Sequence, residues 1–502
     1  GLEAAQVREY EAPVGDTEIL LAQLWAELLK VERVGRHDHF FELGGHSLLA
    51  VSLIGRMRRA GLSADVRVLF GQPTLAALAA AVGRGREVQV PANLIYRDCP
   101  RITPDLLPLL ALDQAAIDRV VATVPGGTAN VQDIYPLAPL QAGILFHHLA
   151  AGAGDPYVLQ AQFAFASTER LQAFAQALQG VIERNDILRS AVLWEGLEQP
   201  LQVVWRQAPL CCEEIALEPG DGEVLGQLQA RFDSRRYRLD IAQAPLLRLV
   251  HAADPVNQRV VALLLFHHLV MDHVALEVLQ HELQAFLLGQ QQRLGEAVPY
   301  RNYVAQARLG IGEAEHEAFF RQMLGDIDQP TLPLGLQEVP GGSAELSEAR
   351  QPLDRLLSRR LRLQARQLGV SAASLMHLAW GRVLGSLAGQ QQVVFGTVLL
   401  GRMQGGEGAE RALGVFINTL PLRVDLGELP VREALLATHE RLAQLLGHEQ
   451  APLALVQRCS GVEPGTPLFS SLLNYRHSAP AANQAGQADS AWEGMQLLNA
   501  QE

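Results

Sequence analysis

The sequence predicts a small all-α domain followed by a larger α/β region. Three observations carry this. Apolar residues recur at helical spacing through roughly the first 85 residues, strand-like and helical segments alternate from about Arg97 onward, and a stretch rich in glycine, charge and proline at 83–91 separates the two. With 502 residues and 48% hydrophobic content, the chain can bury two or three compact units.

Taken in order, Asp16 is placed to cap a first helix whose buried face carries Leu21, Leu24, Trp25, Leu28 and Leu29. A second helix is expected from about Ser47, with Leu49, Leu53, Ile54 and Met57 as its apolar stripe. Its Arg56, Arg58 and Arg59 are either solvated or face a partner. A third helix runs from about Thr74 to Val82, after Pro73. In the larger region, Val158–Phe165 and Val260–Phe266 read as strands. Leu171–Arg184, Val274–Leu288 and Ala372–Leu387 read as helices, the second with Leu276, Leu279, Leu283 and Phe286 inward. No short repeat is present, and the one low-complexity stretch is Ala479–Ser490.

The formal charge is −13 with no block of like charges, which argues against a nucleic-acid groove or a polybasic membrane anchor. Cys99, Cys211, Cys212 and Cys459 form no CxxC pair and no disulfide framework. The start lacks a signal-peptide pattern and no apolar run approaches the roughly 20 residues of a membrane helix, so a reducing cytoplasm is the expected setting.

Three motifs could carry chemistry. Leu43-Gly44-Gly45-His46-Ser47 brings the chain through a glycine turn to a helix N-terminus, where free N–H groups and a partial positive charge suit a phosphodiester on Ser47; alternatively Ser47 only caps its helix. His267-His268 to Asp272-His273 links a buried strand to an amphipathic helix. His268 there can act as a general base, while Asp272 either accepts from an imidazole or pairs with a buried arginine. A metal site and a purely structural histidine pair are the rival readings, and the spacing is neither HExxH nor a helical i, i+4 pair. His147-His148 closes a short apolar helix, where two histidines can simply cap carbonyls. They gain interest only beside the second pair.

Together these residues resemble nonribosomal peptide synthetases. Leu43–Leu48 is similar to the phosphopantetheine site of peptidyl carrier domains, and His267–Asp272 to the HHxxxD signature of condensation domains. Tyr135–Gln141, Arg184–Arg189, Tyr300–Tyr303, Gly414–Arg423 and His448–Leu453 resemble further condensation motifs in the same order. The resemblance implies a small all-α four-helix carrier domain at 1–85 and a linker at 86–96. It further implies an α/β condensation domain of two chloramphenicol-acetyltransferase-like lobes, a V-shaped pseudo-dimer divided into 97–285 and 286–502. The second lobe reads as incomplete at its C-terminus.

By the same resemblance, 4′-phosphopantetheine is attached to Ser47, His268 with His267 is catalytic, and Asp272 is structural, paired with Arg189. His147-His148-Leu149 followed by Gly154-Asp155 is similar to the element that distinguishes dual epimerization/condensation domains, and His46 matches carriers that pass directly to condensation. This implies that His147 or His148, with Asp155, serves epimerization of an L-peptidyl thioester before coupling of the D-product. Expected partners are upstream and downstream synthetase domains, an acceptor carrier domain and a phosphopantetheinyl transferase, with no metal, nucleic acid or membrane. Two positions depart from the pattern. His273 stands where glycine is usual, narrowing the tunnel that the resemblance implies between the lobes or adding a donor, and Ala142 stands where Glu is common. Plain condensation, or a non-catalytic platform that recruits tailoring partners, are the alternatives.

Overall fold

A computed structural model describes residues 10–64, 66–71, 73–83, 88–218, 220, 222–336, 349–406, 408–427, 429–476 and 488–500. Residues 84–87 of the glycine-, charge- and proline-rich stretch and most of the low-complexity stretch lie outside these.

The N-terminal segment forms helices α1 (Gly15–Leu29), α2 (Ser47–Arg59), α3 (Val66–Gly71) and α4 (Leu75–Ala81). Leu21, Trp25, Phe40, Leu53, Met57 and Leu75 fill their shared core. Asp16 is not the cap of α1. It lies in the first turn, and Glu18 Oε2 instead accepts from the N–H of Val14 at 2.8 Å. α3 carries too few residues for a periodic signal. The turn into α2 needs its glycines, because Gly44 has φ +102° and a Cβ on Gly45 would lie 2.3 Å from the Phe40 ring.

The following half contains α5 (Gln114–Thr123), β1 (Val131–Pro136), α6 (Pro139–Ala150), β2 (Val158–Phe165), α7 (Thr168–Arg184), β3 (Ser190–Leu193) and β4 (Leu201–Trp205). It continues with β5 (Cys211–Glu214), α8 (Val224–Arg231), β6 (Leu247–Asp254), β7 (Arg259–His267) and α9 (His273–Leu287). The last part adds α10 (Arg301–Leu309), α11 (Glu313–Leu324), α12 (Arg355–Gln367), α13 (Ala372–Ala388), β8 (Gln392–Leu399), β9 (Asn418–Asp425) and α14 (Val431–Leu446). It ends with α15 (Leu453–Gln457), β10 (Leu472–Leu473), α16 (Ala488–Ala491) and β11 (Met495–Ala500).

Among the described residues, three sheets result, ordered β1-β4-β3, β10-β8-β9 and β11-β2-β7-β6-β5. In the largest, β2 and β7 pair antiparallel from Val158↔His267 to Phe165↔Val260, and α7 and α9 pack together over its apolar face. β11 joins this same sheet beside β2, so the C-terminal half, taken as 286–502, sends its last strand back to the sheet of the preceding half. The register of β2 with β7 fixes where the second histidine pair emerges.

Candidate active site

The two histidine motifs meet at the end of that register. β7 ends on His267, and His147 and His148 occupy the last turn of α6. Beyond α6 the chain turns through Gly154 at φ +76°, where a Cβ would come within 2.3 Å of the Arg235 backbone. Only glycine allows this approach, and it lets the N–H of Asp155 donate to the Ser234 carbonyl at 2.7 Å. The Asp155 side chain is thereby directed into the core.

There, His148 Nδ1 and His267 Nε2 share one oxygen of Asp155, Oδ2; the His267 contact is 2.9 Å. The other oxygen accepts from the N–H of Tyr157 at 2.9 Å. His267 Nδ1 accepts from the N–H of Leu269 at 3.1 Å, so its proton sits on Nε2 and points at the carboxylate. His148 likewise faces the carboxylate through Nδ1, with Nε2 on the far side of its ring. Asp155 and His267 are wholly buried and His148 nearly so. Burial pushes the Asp155 carboxyl up, yet the hydrogen bonds from His148 and His267 hold it well below the usual carboxylate range. Burial holds His267 below the ordinary imidazole value, against the pull of Asp155. Arg238 fastens the end of α6, donating to the carbonyls of Ala151 at 2.8 Å and His148 at 2.5 Å.

His148, Asp155 and His267 also form a convergent donor set, with ligand atoms within 4.8 Å of one another. Ligands about 2.0–2.1 Å from a tetrahedral zinc stand roughly 3.4 Å apart. The Asp155–histidine contacts are shorter and each is spanned by an imidazole proton, so the cluster reads as hydrogen-bonded.

His268 is half-buried, and its N–H donates to the Tyr157 carbonyl at 2.9 Å. The Tyr157 ring stands 6.4 Å from the His268 ring and 6.0 Å from that of His147, which is exposed. Gln141, at the start of α6, donates to the Leu269 carbonyl at 2.8 Å and so ties the Tyr135–Gln141 segment to the histidine loop.

Asp272 caps α9, accepting from the N–H of Ala275 at 2.8 Å, and also accepts from that of Phe416 at 2.9 Å. Its arginine is Arg402, 3.1 Å away, not Arg189. The expected Asp272–Arg189 pair is overturned because Arg189 precedes β3 in a different sheet. Its guanidinium is held there by Gln132 at 2.7 Å and by the carbonyls of Ile182 and Trp205. Arg402 follows β8, lies over the Phe416 ring at 4.1 Å and donates to the carbonyls of Ala409 at 2.5 Å and Ala412 at 2.9 Å. Burial raises the Asp272 carboxyl, but Arg402 and the backbone N–H groups bring it below its ordinary value.

The segments Arg184–Arg189, Tyr300–Tyr303 and Gly414–Arg423 are joined to this centre. Asp186 accepts from the N–H of Tyr300 at 3.1 Å, and the Tyr300 and Tyr303 hydroxyls donate to the carbonyls of Val415 at 2.6 Å and Phe416 at 3.0 Å. A separate cavity of about 820 Å³ is lined by neither these residues nor His148, Asp155, His267 and His268, and reaches the histidine loop only at His273. Phe163, Phe266 and His273 line it on one side and Gly44, Gly45 and His46 on another, so the side chain at 273 does stand on its wall.

Residues 131–497 match the condensation domain model, and residues 20–82 match that of the phosphopantetheine attachment site. The chain belongs to the condensation domain family. Ahead of its condensation domain lies a carrier domain whose cofactor is covalently attached phosphopantetheine. The residues present fit such a group, because α2 begins at Ser47 and the preceding Gly44–His46 border the cavity.

The chain is 52% identical over 493 residues to malpinin synthetase of Mortierella alpina, covering 98% of this chain and 6% of that protein. It is 50% identical over 495 residues to malpibaldin synthetase of the same organism, covering 98% and 9%. A linear gramicidin synthase of Brevibacillus parabrevis is 32% identical over 391 residues, covering 75% and 5%. The chain thus spans 9% or less of the length of these relatives. Its fold is similar to the condensation domain of the monacolin K polyketide synthase MokA, with TM-score 0.52 and 18% identity over 68% of this chain and 81% of that one. The four-domain nonribosomal peptide synthetase AB3403 gives TM-score 0.51 and 18% identity over 66% and 25%. Among the described residues, no helix is long and apolar enough to cross a membrane.

Three residues of the centre, Tyr157, Arg238 and Arg402, escaped the sequence reading. Only Arg402 left a signal there, in the Gly401-Arg402 pair just after a strand. Gly401 has φ +65°, and a Cβ would lie 1.6 Å from the Phe416 carbonyl oxygen.

Proposed function

We propose that this chain is the carrier–condensation segment of a nonribosomal peptide synthetase. Its condensation domain inverts the last residue of an L-peptidyl thioester and couples the D-product to an aminoacyl acceptor on a downstream carrier. Ser47 holds the phosphopantetheine arm, which supplies the substrate as a thioester on a tether. A phosphopantetheinyl transferase charges Ser47, and flanking synthetase domains supply the peptide and the acceptor.

The observation that carries this reading is Asp155, a wholly buried carboxylate shared by the two histidine motifs. Coupling asks for one base, His268, to orient or deprotonate the acceptor amine. Inversion asks for more, because a proton must leave and return at a Cα whose carbanion is poorly stabilised. Asp155 holds His148 through Nδ1 and leaves Nε2 turned from the carboxylate, and the same carboxylate orients His267, the residue before His268. This arrangement favours His148 over the outward-facing His147 as the first-motif histidine that serves inversion. Asp272 is a positioning residue that fixes the start of α9 and thereby the loop carrying His268.

The test loads Ser47 with an L-peptidyl phosphopantetheine in heavy water, then releases the peptide and determines Cα deuterium and chirality. Deuterium with a D/L mixture is expected, and it should vanish in His268→Ala and His148→Ala. Coupling to an acceptor with no exchange would contradict inversion and leave plain condensation.

A further inference from the structure

The carrier domain does not stand free of the condensation domain. Arg58, in the last turn of α2, donates through Nη1 to the Gly406 carbonyl at 2.9 Å and through Nη2 to the Met403 carbonyl at 3.1 Å. Arg59 pairs with Glu410 at 3.3 Å, while Arg56 turns back to Glu27 of its own domain at 3.0 Å. His439 of α14 contacts the Phe70 carbonyl of the carrier at 3.0 Å, and Met403 and Ala443 complete the carrier's own apolar core.

Two features mark this as a built contact. Gly55 lies inside α2, where glycine costs about 1 kcal/mol relative to alanine. Its Cβ position lies 2.8 Å from Glu410 Oε2, so a small side chain would displace only the end of Glu410, whereas a bulky one would press on the Ala409–Arg411 turn. The second is the support behind the carbonyls that receive Arg58. Gln404 lies between them in sequence, and its N–H donates to the wholly buried Glu449 at 2.8 Å. Its side chain donates to the Leu446 and Gly447 carbonyls at 3.2 and 2.7 Å. Burial pushes the Glu449 carboxyl up to about 7, against the pull of these N–H groups and the Arg58 charge. Glu449, in the segment His448–Leu453, and the end of α14 thus brace the turn.

The contact also has a direction. It leaves Gly44–His46, immediately before Ser47, on the border of the cavity whose wall includes His273, next to Asp272.

We propose that Arg58 and Gly55 are the docking key by which this carrier enters the donor side of its own condensation domain. The Met403–Gly406 turn, braced by Glu449, is the lock. The proposal rests on the functional reading above for the word donor, but the contact itself does not depend on inversion.

The test compares coupling of a peptide carried on Ser47 with coupling of the same peptide as a soluble N-acetylcysteamine thioester, in the full chain with one acceptor. Arg58→Ala removes two charge-assisted hydrogen bonds and should slow carrier-borne coupling on the order of tenfold to a hundredfold. The soluble donor should be unaffected. Gly55→Leu, which keeps a good helix former in α2, should reproduce the same split. Hydrogen exchange across α2 and α3 should rise in both variants. Equal loss with both donors, or no loss with either and unchanged exchange, would overturn the proposal. Should the wild-type chain couple neither donor, the functional reading fails, and the exchange measurement still decides the docking.

Discussion

Asp155 and Asp272 are both fully buried carboxylates beside the same histidine pair, and they are neutralised in opposite ways. Asp272 meets a fixed cation, Arg402, together with the helix N–H groups of α9 and the Phe416 backbone. Asp155 meets two imidazoles, those of His148 and His267. An arginine-held carboxylate locks two halves of a domain together and does not titrate near neutral pH. An imidazole-held carboxylate fixes tautomers and leaves proton chemistry available beside it. On the proposed function, the second motif's aspartate serves structure and the first motif's serves proton control.

The largest effect should come from breaking the arginine-held pair. Asp272→Ala leaves Arg402 buried without its counter-charge and should destabilise the fold by about 3–5 kcal/mol, read by denaturant unfolding. A loss below about 1 kcal/mol would mean that the pair is not a structural lock. Asp155→Asn removes one charged acceptor shared by two histidines and should cost about 2 kcal/mol in the same measurement. It should also disturb the His148 and His267 tautomers, visible in imidazole nitrogen NMR shifts; unchanged shifts would speak against Asp155 as their organiser.

The two clusters should also separate by pH. His267 has a folded value held below 6.5, so its contribution is complete above pH 6.5 and is lost as pH falls through that lowered value. Asp272 has a folded value below 3.8, so its contribution persists to about pH 3.8 and is lost only as pH falls through that lower value. Stability against pH should therefore fall in two windows, and His267→Gln should shrink the upper one, to which His251, His316, His377 and His439 also contribute, while leaving the lower one. The smallest effect belongs to His147→Ala. The side chain is exposed, so the change should stay within about 0.5 kcal/mol.

The fold was largely legible where periodicity is strong. The strand at Val158–Phe165 and the helix from Ala372 stand where the spacing puts them, because long amphipathic or apolar runs leave little choice. Asp16 misled because a capping residue type near a helix start is also a good first-turn residue, and Glu18 reached the orphan N–H instead. In the site, His148, Asp155 and His267 could be singled out by type and spacing, whereas their sharing of one oxygen depends on β2–β7 register and on the Gly154 turn. The Arg189 pairing failed for a similar reason. Sequence marks an arginine as available, but only the sheet order shows that Arg402, and not Arg189, reaches α9.

The most direct test of this division of labour loads Ser47 with either an L- or a D-ending peptide and measures coupling to one acceptor in wild-type protein and in His148→Phe. The account predicts that the variant couples the D-ending donor at the wild-type rate and yields no D-product from the L-ending donor. Equal loss with both donors, or full D-product from the L-ending donor, would contradict it.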